Sequence, residues 1–123
     1  MEGFSIIFYK DKPIYYFDYS EMGNSKEKVT ELVKYASLEY QKMPPDSVLV
    51  LVNVANLHLD SDLVNVFRFE RERTNPYEKR VAVFGAKGMQ KIAYNFVSSF
   101  GKKPFVKAFD TELEAKEWLV NNE

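Results

Sequence analysis

The sequence SVLVLVNVANLHLDSD, residues 47–62, decides the fold of this chain. Its first half is a continuous apolar run that is too short to cross a membrane and too rich in β-branched residues for a surface helix. It therefore predicts a strand that is buried on both faces of a sheet. The second half turns polar at Asn53 and contains the only histidine, His58. Because open α/β sheets usually bind ligands at the carboxyl ends of their parallel strands, we expect a functional site there.

Two β-rich runs precede this strand, at residues 4–9 and 13–19, and the short polar link between them predicts a hairpin. In the second run, Tyr15, Phe17 and Tyr19 occupy alternate positions and therefore share one face of the strand. We interpret this aromatic row as sheet surface that a helix covers.

A helix is predicted between the hairpin and the central strand, because apolar residues recur there at spacings of three and four. Asn24 and Glu27 resemble the capping pair that opens such a helix. The pattern continues to about Met43, and Pro44 and Pro45 then stop it.

A second helix is predicted after the polar loop, with Asp60 or Ser61 as its N-cap. Its C-terminal part contains the charged run ERER, residues 70–73. Runs of mixed sign are most often a solvated helix face, so we assign no function to this one. Phe69 lies off the apolar stripe and is predicted to be exposed.

The remaining chain predicts a short buried strand at residues 81–84, an amphipathic helix at 89–100 and a strand at 105–109. Thr111 and Glu114 form a capping box for a terminal helix that turns Ala115, Trp118 and Leu119 inward. The predicted order is β-β-α-β-α-β-α-β-α. This is an α/β protein with a mixed sheet, in a single domain that spans residues 1–123.

The composition excludes several classes of function. Hydrophobic residues at 46% and charged residues at 28% are typical of a globular protein, and the net charge of −1 provides no long-range attraction for nucleic acid. The chain has no cysteine, which excludes disulfides and thiolate chemistry and fits a reducing compartment. No signal sequence or long apolar span is present, so we expect a cytoplasmic protein without integral membrane association.

His58, Asp60 and Ser61 invite comparison with a catalytic triad, but they lie within four consecutive positions and no Gly-x-Ser-x-Gly turn presents the serine. One histidine without cysteine argues against zinc. Magnesium held by Asp60 and Asp62 would need substrate phosphates that no other motif indicates. We therefore predict no catalytic residues, no metal and no cofactor.

Two loops are predicted to line one mouth, because both should follow neighbouring parallel strands. The second loop begins a helix, whose amide groups and nearby lysines suit an anion, although its glycines also suit a simple tight turn. The charge of Asp62 would repel an anion, so we assign the first loop to a protein partner. The predicted partner-binding residues are Asn53, Asn56, His58, Asp60, Ser61 and Asp62. The predicted anion-binding residues are Gly85, Lys87, Gly88 and Lys91.

The element order, the Asp60-Ser61 pair, the motif Val83-Phe84-Gly85-x-x-Gly88 and the ending FDTELEAKEWL, residues 109–119, together resemble the SpoIIAA-like proteins. These share the fold of STAS domains, the anti-sigma-factor antagonists, and of CRAL-TRIO lipid-transfer domains. The resemblance implies a non-enzymatic regulatory or ligand-binding module, as a monomer or homodimer, that binds a regulatory protein or a small anion.

The antagonists that switch by phosphorylation have Asp-Ser-Ser-Gly at this loop, whereas this chain has Asp60-Ser61-Asp62-Leu63. Asp62 thus stands at the position of the phosphorylated serine. Its permanent charge would either mimic the modified state or favour the helix dipole. A carrier of an apolar ligand or lipid is the first alternative and needs a large apolar cavity, and a small hydrolase or phosphotransferase is the second.

Overall fold

The computed structural model describes residues 1–23, 25–58, 60–85 and 105–121. Within these ranges the chain forms five strands, three α-helices and one 3₁₀ turn. The strands are β1 (Phe4–Tyr9), β2 (Lys12–Asp18), β3 (Val48–Asn53), β4 (Glu78–Phe84) and β5 (Phe105–Phe109). The helices are α1 (Lys26–Tyr40), α2 (Ser61–Thr74) and α3 (Glu112–Asn121), and the 3₁₀ turn is Asn75–Tyr77.

The strands form one mixed sheet in the order β1-β2-β3-β4-β5. β1 and β2 are antiparallel, whereas β2, β3, β4 and β5 run parallel to one another. β3 lies in the centre, and residues 48–52 are buried on both of its faces. The predicted α/β class, the mixed sheet and the buried central strand are therefore confirmed. The helix predicted at residues 89–100 lies outside the described residues.

Helices α1 and α2 cover one face of the sheet. The aromatic row of β2 packs directly beneath them: the ring centroids of Tyr15 and Phe17 lie 5.6 Å and 6.1 Å from that of Tyr40, and the Tyr19 and Phe67 rings are 5.7 Å apart. The row is thus core, as predicted.

Helix α3 covers the other face, where Ala115 and Leu119 are fully buried in a cluster with Leu51 of the central strand. Its capping box is confirmed. Thr111 Oγ1 accepts a hydrogen bond from the Glu114 amide at 3.2 Å and donates one to the Glu114 carboxylate at 2.9 Å.

The predicted hairpin is confirmed, and its two-residue turn takes an unusual backbone. Lys10 and Asp11 have φ angles of 51° and 66°, in the left-handed region that tight hairpins require but that these side chains rarely adopt. Lys10 Nζ lies 2.9 Å from the Glu117 carboxylate, to which the Tyr9 hydroxyl also donates. The turn is therefore fixed to α3.

Three predicted boundaries differ from the structure. Asn24 lies outside the described residues, and the N-cap of α1 is Ser25, whose Oγ accepts from the Lys28 amide at 3.3 Å. The helix ends at Tyr40, before Met43. β4 begins at Glu78, three residues before the predicted Val81, since a buried charge at that position concealed the strand from the apolar pattern.

Candidate functional site

The loop after β3 is held in place by its own side chains. Asn53 Oδ1 accepts a hydrogen bond from the Ala55 amide at 3.0 Å, and Asn53 Nδ2 donates to the Tyr16 hydroxyl at 3.4 Å. Asn56 has a φ of 61° and donates through Nδ2 to the Ser20 carbonyl at 3.4 Å. The two asparagines that were predicted to contact a partner therefore also order the loop against the end of β2.

Gly85 brings the second loop against the first. Its φ is 91°, and a Cβ atom there would lie 2.6 Å from Asn53 Oδ1 and 2.9 Å from the Ala55 amide nitrogen. Only glycine fits this position without a shift of the backbone. Gly85, the first residue of the second predicted loop, thus packs against the first loop at the ends of neighbouring parallel strands, and the rest of that loop lies outside the described residues.

Of the predicted anion-binding residues, the structure describes only Gly85. Its positive φ and its close approach to Asn53 already explain the need for glycine. The other three residues, Lys87, Gly88 and Lys91, lie outside the described residues. Anion binding on this side stays a prediction.

Asp60 is the N-cap of α2, because its Oδ1 accepts a hydrogen bond from the Leu63 amide at 2.9 Å. Its Oδ2 forms an ion pair with Lys26 Nζ at the start of α1, and the same nitrogen lies 3.6 Å from Asp62 Oδ2. Lys26 and then the Leu63 amide lower the pKa of Asp60. Lys26 therefore ties the first turn of α1 to the first turn of α2.

Of the two predicted N-caps, Asp60 is confirmed, and Ser61 is instead the first residue of α2. Asp60 has the extended backbone, with φ −105° and ψ −179°, that an N-cap requires. His58, Ser61 and Asp62 are exposed, and the Asp62 side chain is 81% accessible. With Asn56, which is also exposed, these residues form the solvent-facing part of the predicted partner site.

We expect Asp60→Ala to lower the urea midpoint of unfolding, because it removes the cap and the partner of Lys26. Asp60→Asn should retain most of the stability, since asparagine is an equally good cap. Ser61→Ala is the matched control and should leave the midpoint unchanged. An equal loss in Asp60→Ala and Ser61→Ala would contradict the assignment of the cap.

The interpretation of the charged run at residues 70–73 as a solvated helix face is wrong for its first two residues. Glu70 and Arg71 are only 2% and 7% exposed. The Arg71 guanidinium forms an ion pair with buried Glu78 of β4 and donates from Nη2 to Asn75 Oδ1 at 3.2 Å. Half of the run therefore belongs to the interior.

The other half of the run faces outward. Arg73 has a side chain that is 62% accessible, and its guanidinium lies 5.9 Å from the centroid of the Phe69 ring. Phe69 is 66% exposed, as predicted. We call these two residues, with exposed Glu72, the outer face of α2.

A cleft of about 40 Å³, partly open to solvent, lies between α1 and α2 above the sheet. The buried ion pair forms part of its wall, and aromatic and aliphatic side chains form the rest. The lining residues are Phe17, Tyr19, Val33, Ala36, Tyr40, Val50, Val52, Phe67, Glu70, Arg71, Thr74, Glu78 and Val81.

Burial governs the pKa values of the groups in this cleft. It raises the pKa of Glu78 above its ordinary 4.5 although Arg71 opposes the change, and it lowers the pKa of Arg71. Burial also raises the pKa of Tyr19 and of Tyr40, so both phenols are neutral at physiological pH. The cleft thus combines neutral aromatic rings with buried charged groups.

One signal in the sequence could have revealed the cleft. Leu63, Phe67, Glu70 and Thr74 follow one another at spacings of four, three and four, which is the period of a buried helical stripe. All four are buried in the structure. The buried stripe therefore continues through Glu70 and Thr74. An interpretation based on charge alone would end the stripe at Phe67.

Within the described ranges, no three histidine, cysteine or carboxylate side chains come together as ligands for a metal ion. None of the described helices is long and apolar enough to cross a bilayer. A comparison with known proteins finds no matching family model, no similar curated protein and no similar solved structure.

Proposed function

We propose that the chain is a non-enzymatic regulatory module of the STAS-like, or SpoIIAA-like, type, which binds a protein partner in the cytoplasm. The partner would contact the loop after β3 and the first turn of α2. The observation that carries this proposal is the exposure of His58, Ser61 and Asp62 beside loop residues that Asn53 and Asn56 hold by hydrogen bonds. These hydrogen bonds reduce the conformational entropy that the loop would lose on binding a partner.

The position of Asp62 supports the proposal. Asp62 aligns with the serine that is phosphorylated in the antagonists that this chain resembles. It is exposed in the first turn of α2, and its Oδ2 atom lies 3.6 Å from Lys26 Nζ. A carboxylate at a helix N-terminus is favoured by the helix dipole. A partner with a positively charged surface that contacts Asp62 would bind without phosphorylation of the chain.

The contacts of Asp60 favour a module over a hydrolase. A triad needs a carboxylate that orients the histidine, yet Asp60 caps α2 through one oxygen and pairs with Lys26 through the other. Turnover of ester or phosphoester substrates that disappears in His58→Ala would contradict this part of the proposal.

The size of the cleft favours a module over a lipid carrier. Drug-sized ligands occupy pockets of roughly 300 to 1,000 Å³, whereas the cleft between α1 and α2 holds about 40 Å³. Its wall also contains the Arg71–Glu78 ion pair, to which an acyl chain offers no hydrogen bond.

Site-specific photo-crosslinking in the cells that produce the protein tests the proposal. A photoreactive phenylalanine in place of Ser61 should give one discrete adduct, and Asp62→Lys in the same chain should abolish it. The matched control places the same group at Leu113, which is exposed on the opposite face of the sheet. The same adduct from both positions, or none from Ser61, would contradict the proposed surface.

A further inference from the structure

The cleft between α1 and α2 contains a buried carboxylate, one oxygen of which receives no hydrogen bond from a described group. Glu70 is 2% exposed, and no described group donates a hydrogen bond to its Oε1 atom. Arg73 Nη1 forms an ion pair with Glu70 Oε1 at 3.7 Å, which is beyond hydrogen-bonding distance, and the Arg73 side chain is mostly in solvent. A buried acceptor without a donor is costly, so this oxygen needs an explanation.

The charges around Glu70 favour a cation in the cleft. Arg71 and Glu78 neutralise each other through their ion pair, which leaves the Glu70 carboxylate as the remaining charge in the wall. The wall thus holds two carboxylates and one guanidinium, and Arg73 pairs with Glu70 from the solvent side. An anionic ligand would meet that charge and is disfavoured.

The aromatic side chains of the cleft favour the same class of ligand. Tyr19, Tyr40 and Phe67 all line it, and the Tyr19 and Phe67 rings are held edge to face at an angle of 69°. The faces of aromatic rings attract cations, most strongly where water is excluded. Aromatic rings combined with a carboxylate are the usual means of recognising alkylammonium groups.

We propose that this cleft binds the ammonium group of a small primary alkylamine, with Glu70 as its counter-ion. The nitrogen would donate a hydrogen bond to Glu70 Oε1, and the alkyl part would contact the aromatic rings. A volume of about 40 Å³ admits only a few non-hydrogen atoms, which limits the ligand or its buried end to that size. This inference goes beyond the proposed function and does not depend on it.

Titration with n-propylammonium chloride, followed by amide chemical shifts of the full chain, tests the inference. We expect saturable shifts in the segments that line the cleft, at residues 33–40 and 67–74. Neutral n-propanol and sodium chloride at equal ionic strength should not reproduce them. Equal shifts with n-propanol, or no saturation with n-propylammonium, would overturn the inference and would show that the cleft binds alkyl chains or only water.

Variants at three acidic or basic positions of α2 sharpen the test. Glu70→Gln should weaken binding at least about tenfold, because it removes the charge but keeps the shape. Glu72→Gln, at an exposed position of the same helix, should leave binding unchanged. Arg73→Gln should strengthen binding, since it removes the competing cation, and this variant keeps the test decisive if Glu70→Gln does not fold. Affinity that is equal in the parent, Glu70→Gln and Arg73→Gln would overturn the role of Glu70.

Discussion

Arg71→Met should lower the free energy of unfolding by about 3 to 5 kcal/mol, because it leaves the Glu78 carboxylate buried without its partner. Both side chains of this ion pair are almost completely inaccessible. Arg73→Met removes the same charge from the outer face of α2 and should change the stability by less than about 0.5 kcal/mol. Urea denaturation of the two variants, two residues apart on one helix, measures the difference.

The double variant Arg71→Met/Glu78→Leu isolates the cost of the broken pair. Since neither buried charge remains, it should recover most of the stability that Arg71→Met loses. If the losses of the two single variants simply add, the two side chains are not coupled. Equal stability of Arg71→Met and Arg73→Met would contradict the burial of Arg71.

The pH dependence of stability gives a second readout of the same pair. Burial raises the pKa of Glu78, so the folded chain holds this proton to a higher pH than the unfolded chain, in which the group has its ordinary value of 4.5. The contribution of Glu78 to stability therefore falls as the pH rises from about 4.5 through the folded pKa. Glu78→Gln should remove this slope, whereas Glu72→Gln should retain it.

Leu51→Ala should lower the free energy of unfolding by about 2 to 5 kcal/mol. Leu51 lies in the central strand and is fully buried against α3, so truncation leaves a cavity that neighbouring strands cannot close. Leu38→Ala is the control, because Leu38 is an exposed leucine of α1. The two urea midpoints should differ widely, and a Leu51→Ala midpoint near that of the parent would contradict the place of β3 in the core.

Hydrophobic period was sufficient to predict most of the described fold. The apolar run at residues 48–52 predicted the central strand, and alternation in β2 predicted the aromatic row under α1 and α2. Thr111 and Glu114 predicted the start of α3 from capping chemistry alone. Each of these features depends on residues close in sequence or on apolar residues that recur at a regular spacing. They can therefore be predicted from the local sequence.

The burial of Arg71 and Glu78 could not be predicted by the same rules, whereas Glu70 lies on the buried helical stripe. Charge is usually a mark of the surface, and only the partner across the fold, Glu78 on β4, shows that Arg71 lies inside. The roles of Asn53 and Gly85 depend equally on distant contacts, since each is set by the approach of one loop to another. Sequence reasoning located the edge of the sheet correctly but missed the cleft behind it.

We propose that a partner is recognised at the loop after β3 and the start of α2. Amide chemical-shift mapping with the purified partner from the Ser61 adduct tests this proposal most directly. We expect perturbations at residues 54–58 and 60–62 and at Lys26, whose ammonium group forms ion pairs with both Asp60 and Asp62. Perturbations confined to the outer face of α2, at Phe69 and Arg73, with the loop unchanged, would contradict it.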